Sequence, residues 1–200
     1  GSHHLVVDYC NNGGGHAFKM RFEGPDSRGN KVEVPASALK HELKAFEPFE
    51  PGLECDYFYN QAHCDVPDLG ALTPAHTAIL PNINMGSSFP HVRQTWHFCM
   101  RCSGYVSIRT AGGYKFHTAS DDGSLLYVNG ERIVDNNGCH GEEEKSSNSK
   151  YLSIGLHHLM VDFCEKSGGQ SLKMRYEGPD TGDSKVIVPA SVLKHDARPR

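Results

Sequence analysis

The sequence predicts an all-β chain, an antiparallel β-sandwich, on three observations. Short runs alternate apolar and polar residues with a period of two, the pattern of strands with one buried face. An Asn-Gly dipeptide, Asn129-Gly130, separates two such runs, and it is the strongest short-range hairpin signal because both central turn positions require positive φ. Glycine (21) and proline (11) punctuate the 200 residues at short intervals, and a helical turn or two is hinted at only in 36–46.

The strands follow in order. Tyr105-Val106-Ser107-Ile108-Arg109-Thr110 alternates, as does Tyr114-Lys115-Phe116-His117-Thr118. Leu125-Leu126-Tyr127-Val128 and Glu131-Arg132-Ile133-Val134 form the two arms around the Asn-Gly turn. Leu159, Val161 and Phe163 point one way on the next strand. A turn at Gly168-Gly169 then leads to Leu172, Met174 and Tyr176 on one face and Lys173, Arg175 and Glu177 on the other.

Composition narrows the function. Hydrophobic residues at 38% suffice for a core. With 20 Lys and Arg against 24 Asp and Glu, the net charge is -4 and no basic stripe is visible, so no nucleic-acid partner is expected. No apolar run approaches the roughly 20 residues that span a bilayer, which argues against membrane insertion. No nucleophile–base pairing or phosphate-cradling glycine loop stands out, so the chain reads as non-catalytic. Seven cysteines point to an oxidising, extracellular or cell-surface setting.

The chain also repeats itself. Residues 1–41 align without a gap on 155–195 at an offset of 154, and 25 of the 41 positions are identical. Lys19-Met20-Arg21-Phe22-Glu23-Gly24-Pro25-Asp26 returns as Lys173-Met174-Arg175-Tyr176-Glu177-Gly178-Pro179-Asp180. The expected organisation is the C-terminal portion of one module (1–41), a Pro-containing linker (42–50), one complete module (51–195), and the start of a further linker or tail (196–200). A 41-residue piece sits near the size below which domains rarely fold unaided. Its apolar face, carrying Leu5, Val7 and Phe18, is expected to be covered by another module or another chain.

Cysteine parity agrees with that division. Six cysteines fall in the complete module, and Cys10 is the repeat equivalent of Cys164. Six cysteines allow 15 pairings. The expected set is Cys139–Cys164, Cys99–Cys102 and Cys55–Cys64, with Cys10 unpaired or intermolecular. Cys99-x-x-Cys102 precedes a β run, unlike the helix start that a redox pair needs. His97 lies beside it, but zinc would require a second metal-spaced pair.

The run Gly113-Tyr114-Lys115-Phe116-His117-Thr118-Ala119-Ser120-Asp121-Asp122-Gly123-Ser124-Leu125-Leu126-Tyr127-Val128-Asn129-Gly130 resembles the signature of the anthrax protective antigen domain family, the "PA-fourteen" β-sandwich. Val134-Asp135-Asn136-Asn137-Gly138 with His140, Gly155 with His157, Val161-Asp162-Phe163, and Tyr176-Glu177-Gly178-Pro179 before Val188-Pro189-Ala190-Ser191 resemble further family motifs in order. Pro51-Gly52-Leu53 with Tyr57-Phe58 is similar to the opening motif, from which Cys55 and Asp56 depart.

The resemblance implies a module of the kind found in adhesins, toxins and accessory domains of hydrolases. Its flocculin-like members bind sugars through calcium held by two consecutive aspartates joined by a cis peptide, which here are Asp121 and Asp122. The following family loop is 165–171. There Glu165 is placed as a further calcium ligand, and Gln170 or backbone carbonyls around Gly168 as sugar contacts. Calcium is a hard cation that takes six to eight oxygens, which suits clustered carboxylates. Asp-Asp-Gly is also ordinary turn chemistry. Glu142-Glu143-Glu144 reads as a solvated loop, His157-His158 as surface residues, and Trp96 as a core or sheet-packing anchor.

Two functions remain. One is an extracellular repeat module of a surface, fibre-forming or adhesin-like protein, with calcium-dependent carbohydrate binding, whose partners are glycans and copies of itself. The other is a purely structural polymer unit in which residues 1–41 pair with strands of a neighbouring subunit.

Overall fold

Alternating burial along many of the strands places one face inward and one outward. The chain, seen here as a computed structural model that describes residues 18–35 and 49–197, divides into two units, 1–46 and 47–200. Cys10, Leu5, Val7 and the helical hint at 36–46 lie outside the described residues. Among the described residues, no helix is long and apolar enough to cross a membrane.

In the first unit, β1 (Arg21–Phe22) and β2 (Val32–Glu33) pair antiparallel, Arg21 opposite Glu33 and Phe22 opposite Val32. A 3-10 turn at Pro25–Ser27 joins them. Gly24 closes it: its N–H is bonded to the Ser27 hydroxyl and its carbonyl accepts the Ser27 and Gly29 N–H groups.

The second unit contains β3 (Phe49–Pro51), β4 (Leu53–Tyr59), β5 (His76–Leu80), β6 (Asn84–Met85), β7 (Phe98–Ile108), β8 (Gly112–Asp121), β9 (Ser124–Val128) and β10 (Glu131–Asn136). It continues with β11 (Glu143–Ser146), β12 (Lys150–Leu152), β13 (Gly155–Glu165), β14 (Ser171–Glu177), β15 (Val186–Ile187) and β16 (Leu193–Asp196). The strands form two antiparallel sheets. In one, the order runs β10-β9-β13-β7-β16-β3, with β4 also on β7 and β5 on β4. In the other it runs β11-β8-β14-β15, with β12 on β8 and β6 on β14.

The core lies between the sheets. Leu53, Tyr57, Val106, Leu126, Val128, Leu159, Val161 and Phe163 come from the first sheet and Tyr114, Phe116, Leu172, Met174 and Tyr176 from the second. Each of these is at most 3% exposed, so burial of their apolar area dominates the favourable side of folding. The Asn129-Gly130 turn has φ of 53° and 79°, and Val128 faces Glu131 across it, as a two-residue hairpin with both central residues left-handed requires.

Three disulfides form, and none is a pair expected from the sequence. Cys55 bonds Cys102, Cys99 bonds Cys164, and Cys64 bonds Cys139. The reason is strand geometry. Cys99 and Cys102 are three residues apart on β7, so their side chains leave opposite faces of the sheet. Each instead meets the cysteine directly opposite on a neighbouring strand, Cys102 facing Cys55 on β4 and Cys99 facing Cys164 on β13. Their Cα–Cα distances are 4.0 and 4.1 Å. With Cys164 so engaged, Cys139 turns to Cys64 in the segment after β4.

Two further expectations are corrected. Glu143 and Glu144 lie in β11, paired with β8, rather than in a loop. Their run is anchored by cations of the same sheet face: Lys173 on Glu142, with Arg175 and Lys185 on Glu144. His157 is buried, its Nδ1 within 3.0 Å of Asn129 Nδ2 and its Nε2 2.8 Å from Ser153 O, so it braces the hairpin turn. His158 alone of that pair is exposed.

Candidate cation and glycan site

Three segments converge at one end of the sandwich: the close β8–β9 connection, the β13–β14 loop, and the loop after β10. The β8–β9 connection carries Asp121 and Asp122, joined by a cis peptide bond. Glu165 is the last residue of β13. One carboxylate oxygen from each of Asp121, Asp122 and Glu165 lies within 4.8 Å of the others. These are residues 44 and 43 positions apart in sequence, brought together because Asp162 and Phe163 on β13 pair with Leu125 and Ser124 on β9.

The surroundings orient the cluster. Asp122 is buried, accepting from the His140 N–H at 3.3 Å and from the Lys166 N–H at 3.1 Å. Gly123 must be glycine, because a Cβ there would lie 2.3 Å from the Cys64 carbonyl oxygen. Behind the cluster, Ser120, Ser124 and Thr118 exchange hydroxyl hydrogen bonds of 2.8 and 3.0 Å, and the Asn136 amide donates to Ser120 Oγ and to Glu143 O. The core thus becomes polar toward this end.

Glu165 is fully buried, and no hydrogen bond of ordinary geometry reaches either of its carboxylate oxygens. Burial, then the charges of Asp122 and Asp121, push its pKa up to about 8, opposed least by the Asp122 backbone. The Asp121 carboxyl is also raised, by burial first and by Asp122 second, with His140 acting against it. A buried polar group left unsatisfied costs roughly 1–3 kcal/mol, more if charged. A cation would satisfy all three carboxylates at once. The donors are all oxygen, since the nearby Cys64 and Cys139 sulfurs are consumed in a disulfide, and that selects a hard divalent ion. The residues fit calcium.

The residues expected to meet sugar are placed differently from one another. Gly168 sits at the tip of the β13–β14 loop with φ of 107°, and its carbonyl accepts the Trp96 indole N–H at 3.3 Å. Gln170 is half-buried and donates its amide to Ser87 O at 2.9 Å, so its nitrogen supports the neighbouring loop. Lys166 is exposed and serves the cluster through its backbone. His140 stands out in the sequence only as part of a family motif, and the 87–97 loop joins this region through contacts distant in sequence, the His97 N–H on Lys166 O, the Trp96 indole on Gly168 O and Ser87 O on the Gln170 amide. Trp96 is not the core anchor its type suggested: it is 52% exposed.

A family model, the PA14 domain, matches residues 50–188. The chain belongs to that family. The PA14 sandwich is matched by solved structures as well. An anti-sigma factor domain-containing protein is 24% identical with a TM-score of 0.62 over 76% of this chain, and the chain spans only half of its length. The PA14 sugar-binding domain from an RTX adhesin is 18% identical with a TM-score of 0.62, covering 72% of this chain and 98% of that one. An epithelial adhesin A domain from Candida glabrata, in complex with β-lactose, is 15% identical with a TM-score of 0.57, covering 76% and 90%. No curated protein matched. At these identities the structural matches establish a shared fold.

In this PA14 domain, Gly169 offers a sharp probe of the cluster. A Cβ at Gly169 would lie 2.7 Å from Asp121 Oδ2. Gly169→Ala is expected to push that carboxylate aside, lowering calcium affinity about tenfold on calorimetric titration. The contact is the end of a side chain rather than backbone, so the melting temperature should change little. An unchanged calcium affinity would mean Asp121 stands outside the ion's coordination.

Proposed function

We propose that this chain is a non-catalytic, extracellular module of a repetitive surface or fibre-forming protein that binds carbohydrate through calcium held by Asp121, Asp122 and Glu165. The observation that carries the reading is the buried, unsatisfied Glu165 carboxylate facing two consecutive aspartates. Three carboxylates so close repel one another, and a divalent cation is the simplest group that makes their burial favourable. Sugar hydroxyls would complete the coordination shell, with the loop around Gly168 shaping which sugars fit. The sugar-binding and lactose-bound relatives support that class of ligand. The three disulfides support an oxidising compartment. Repetition suits weak sites, whose avidity grows when they are linked.

The test is a thermal melt of the full chain with calcium and with a chelator, followed by saccharide titration of the calcium-loaded protein. Calcium is expected to raise the melting temperature and chelation to reverse it. Coincident melts would remove the ion, and with it this route to sugar.

A second reading, pairing of 1–41 with strands of another copy, is favoured by one observation. The hairpin of β1 and β2 recurs at an offset of 154 in β14 and β15: Arg175 pairs with Ile187 and Tyr176 with Val186. The Val34 N–H bonds Met20 O at 3.0 Å, and the Val188 N–H bonds Met174 O at 3.1 Å. In the sandwich Met174, Tyr176 and Val188 are at most 3% exposed beneath the opposing sheet, whereas Met20, Phe22 and Val34 are only half-buried. Sedimentation velocity is expected to show concentration-dependent association of the chain that Phe22→Asp abolishes. Identical sedimentation of both proteins as monomers would dismiss the pairing.

A further inference from the structure

We infer that Trp96 is the aromatic platform of the glycan site, stacking against the apolar face of a pyranose whose hydroxyls reach the ion at Asp121, Asp122 and Glu165. This inference rests on the glycan-binding reading above and names the residue that determines which sugars it admits.

The position of Trp96 is held, not incidental. Its indole N–H donates to Gly168 O, on the loop whose next residue, Gly169, packs against Asp121. Its own loop is tied to the same segment twice more, by the His97 N–H on Lys166 O at 3.3 Å and by the Gln170 amide on Ser87 O. The Gln94 amide then donates to both Trp96 O, at 2.9 Å, and His97 O, at 2.7 Å, fixing the turn that carries the ring. His91 and His97 adopt left-handed φ of 63° and 58°, uncommon for non-glycine residues.

A tryptophan fixed by its only donor yet 52% exposed leaves a large apolar surface in water beside a site built for hydroxyls. The C–H groups on one face of a pyranose are weakly positive, and they complement the negative face of an indole. Hydroxyls on the ring edge remain available to a cation. The ligand class is thus a hexopyranoside with vicinal hydroxyls and a contiguous C–H face. A cleft of about 300 Å³ next to Trp96 in sequence, lined by Ser88, Arg93, Gln94, Thr95 and Gln170, offers polar groups to a second sugar unit.

Trp96 is the chain's single tryptophan, so its fluorescence reports on the platform alone. The experiment adds lactose, methyl α-mannopyranoside and N-acetylglucosamine separately to the full chain, with calcium and with chelator, reading emission and iodide quenching. A saccharide that binds with calcium is expected to shift the emission to the blue and protect Trp96 from iodide, and chelator should abolish both effects. Calorimetry of Trp96→Ala should show saccharide affinity lowered about tenfold and calcium affinity unchanged, with Trp96→Phe intermediate. Saccharide binding that leaves iodide quenching and the Trp96→Ala affinity untouched would overturn the platform while sparing the glycan reading. Calcium-loaded protein that binds none of the three would overturn both.

Discussion

Glu165→Gln is expected to abolish measurable calcium binding and, at the same time, to stabilise the calcium-free protein at pH 8. The opposite signs follow from the charge on one buried group. In the folded state the Glu165 pKa is raised from an ordinary value of 4.5 to about 8. The folded chain therefore holds a proton that the unfolded chain has released across that interval. The stabilisation it represents is complete below the unfolded value and is lost as pH climbs toward about 8. The calcium-free protein should lose stability through this window with a slope of at most about 1.4 kcal/mol per pH unit. Asp121, shifted the same way, adds to the trend at the acid end.

Glutamine has no proton to lose, so the variant's melting temperature should be nearly flat with pH from this source. At pH 8 it should exceed that of the parent by several degrees, since about 1 kcal/mol shifts a domain of this size by roughly 2–4 °C. Calcium demands the ionised form, so parental calcium affinity should rise with pH over the same interval. A pH series of melts, with and without calcium, checks all of this. A variant that still binds calcium, or that melts lower than the parent without it, would show that Glu165 plays another part.

Removing the Cys64–Cys139 disulfide, by Cys64→Ala with Cys139→Ala, is expected to weaken both the fold and the site. The bond closes a loop of 75 residues, longer than the 47 and 65 of the other two. In the chain-entropy view a loop of that length contributes roughly 4 kcal/mol, at the upper end of what such bonds deliver. Cys139 is also the residue before His140, whose N–H bonds Asp122, and Cys64 O packs where a Gly123 side chain would otherwise go. Freed segments would let Asp122 rotate, and calcium affinity should fall about tenfold beyond the loss in stability. Denaturant unfolding and calcium titration separate the two effects. If stability drops and calcium affinity holds, the disulfide is a staple with no bearing on the site.

Much of the fold was legible because it follows from local rules. Leu159, Val161 and Phe163 face inward, as do Leu172, Met174 and Tyr176, because side chains on a strand alternate. Asn129 and Gly130 turn where their positive φ allows. The consecutive aspartates and Glu165 were marked by the family resemblance, and the repeat at 154 was visible as identity. The disulfides were misjudged for lack of a register: sequence proximity favoured Cys99–Cys102, whereas pairing on a sheet depends on which residue stands opposite. Glu143 and Glu144 are exposed as expected, but their place in β11 was not legible because β8, the strand they pair with, lies well back along the chain. His157 looked exposed because nothing nearby announces that Asn129 will meet it.

Strand identity, inward faces and the hairpin turn came from the order of residues alone, since each depends on neighbours within a few positions, and the candidate calcium ligands came from the family resemblance. Which cysteines bond, that Glu165 is buried without a partner, and that Trp96 stands exposed at the Gly168 loop were decided by the packed sheets. These depend on distances between segments that only strand register sets, and a shift of one residue would reverse every face involved.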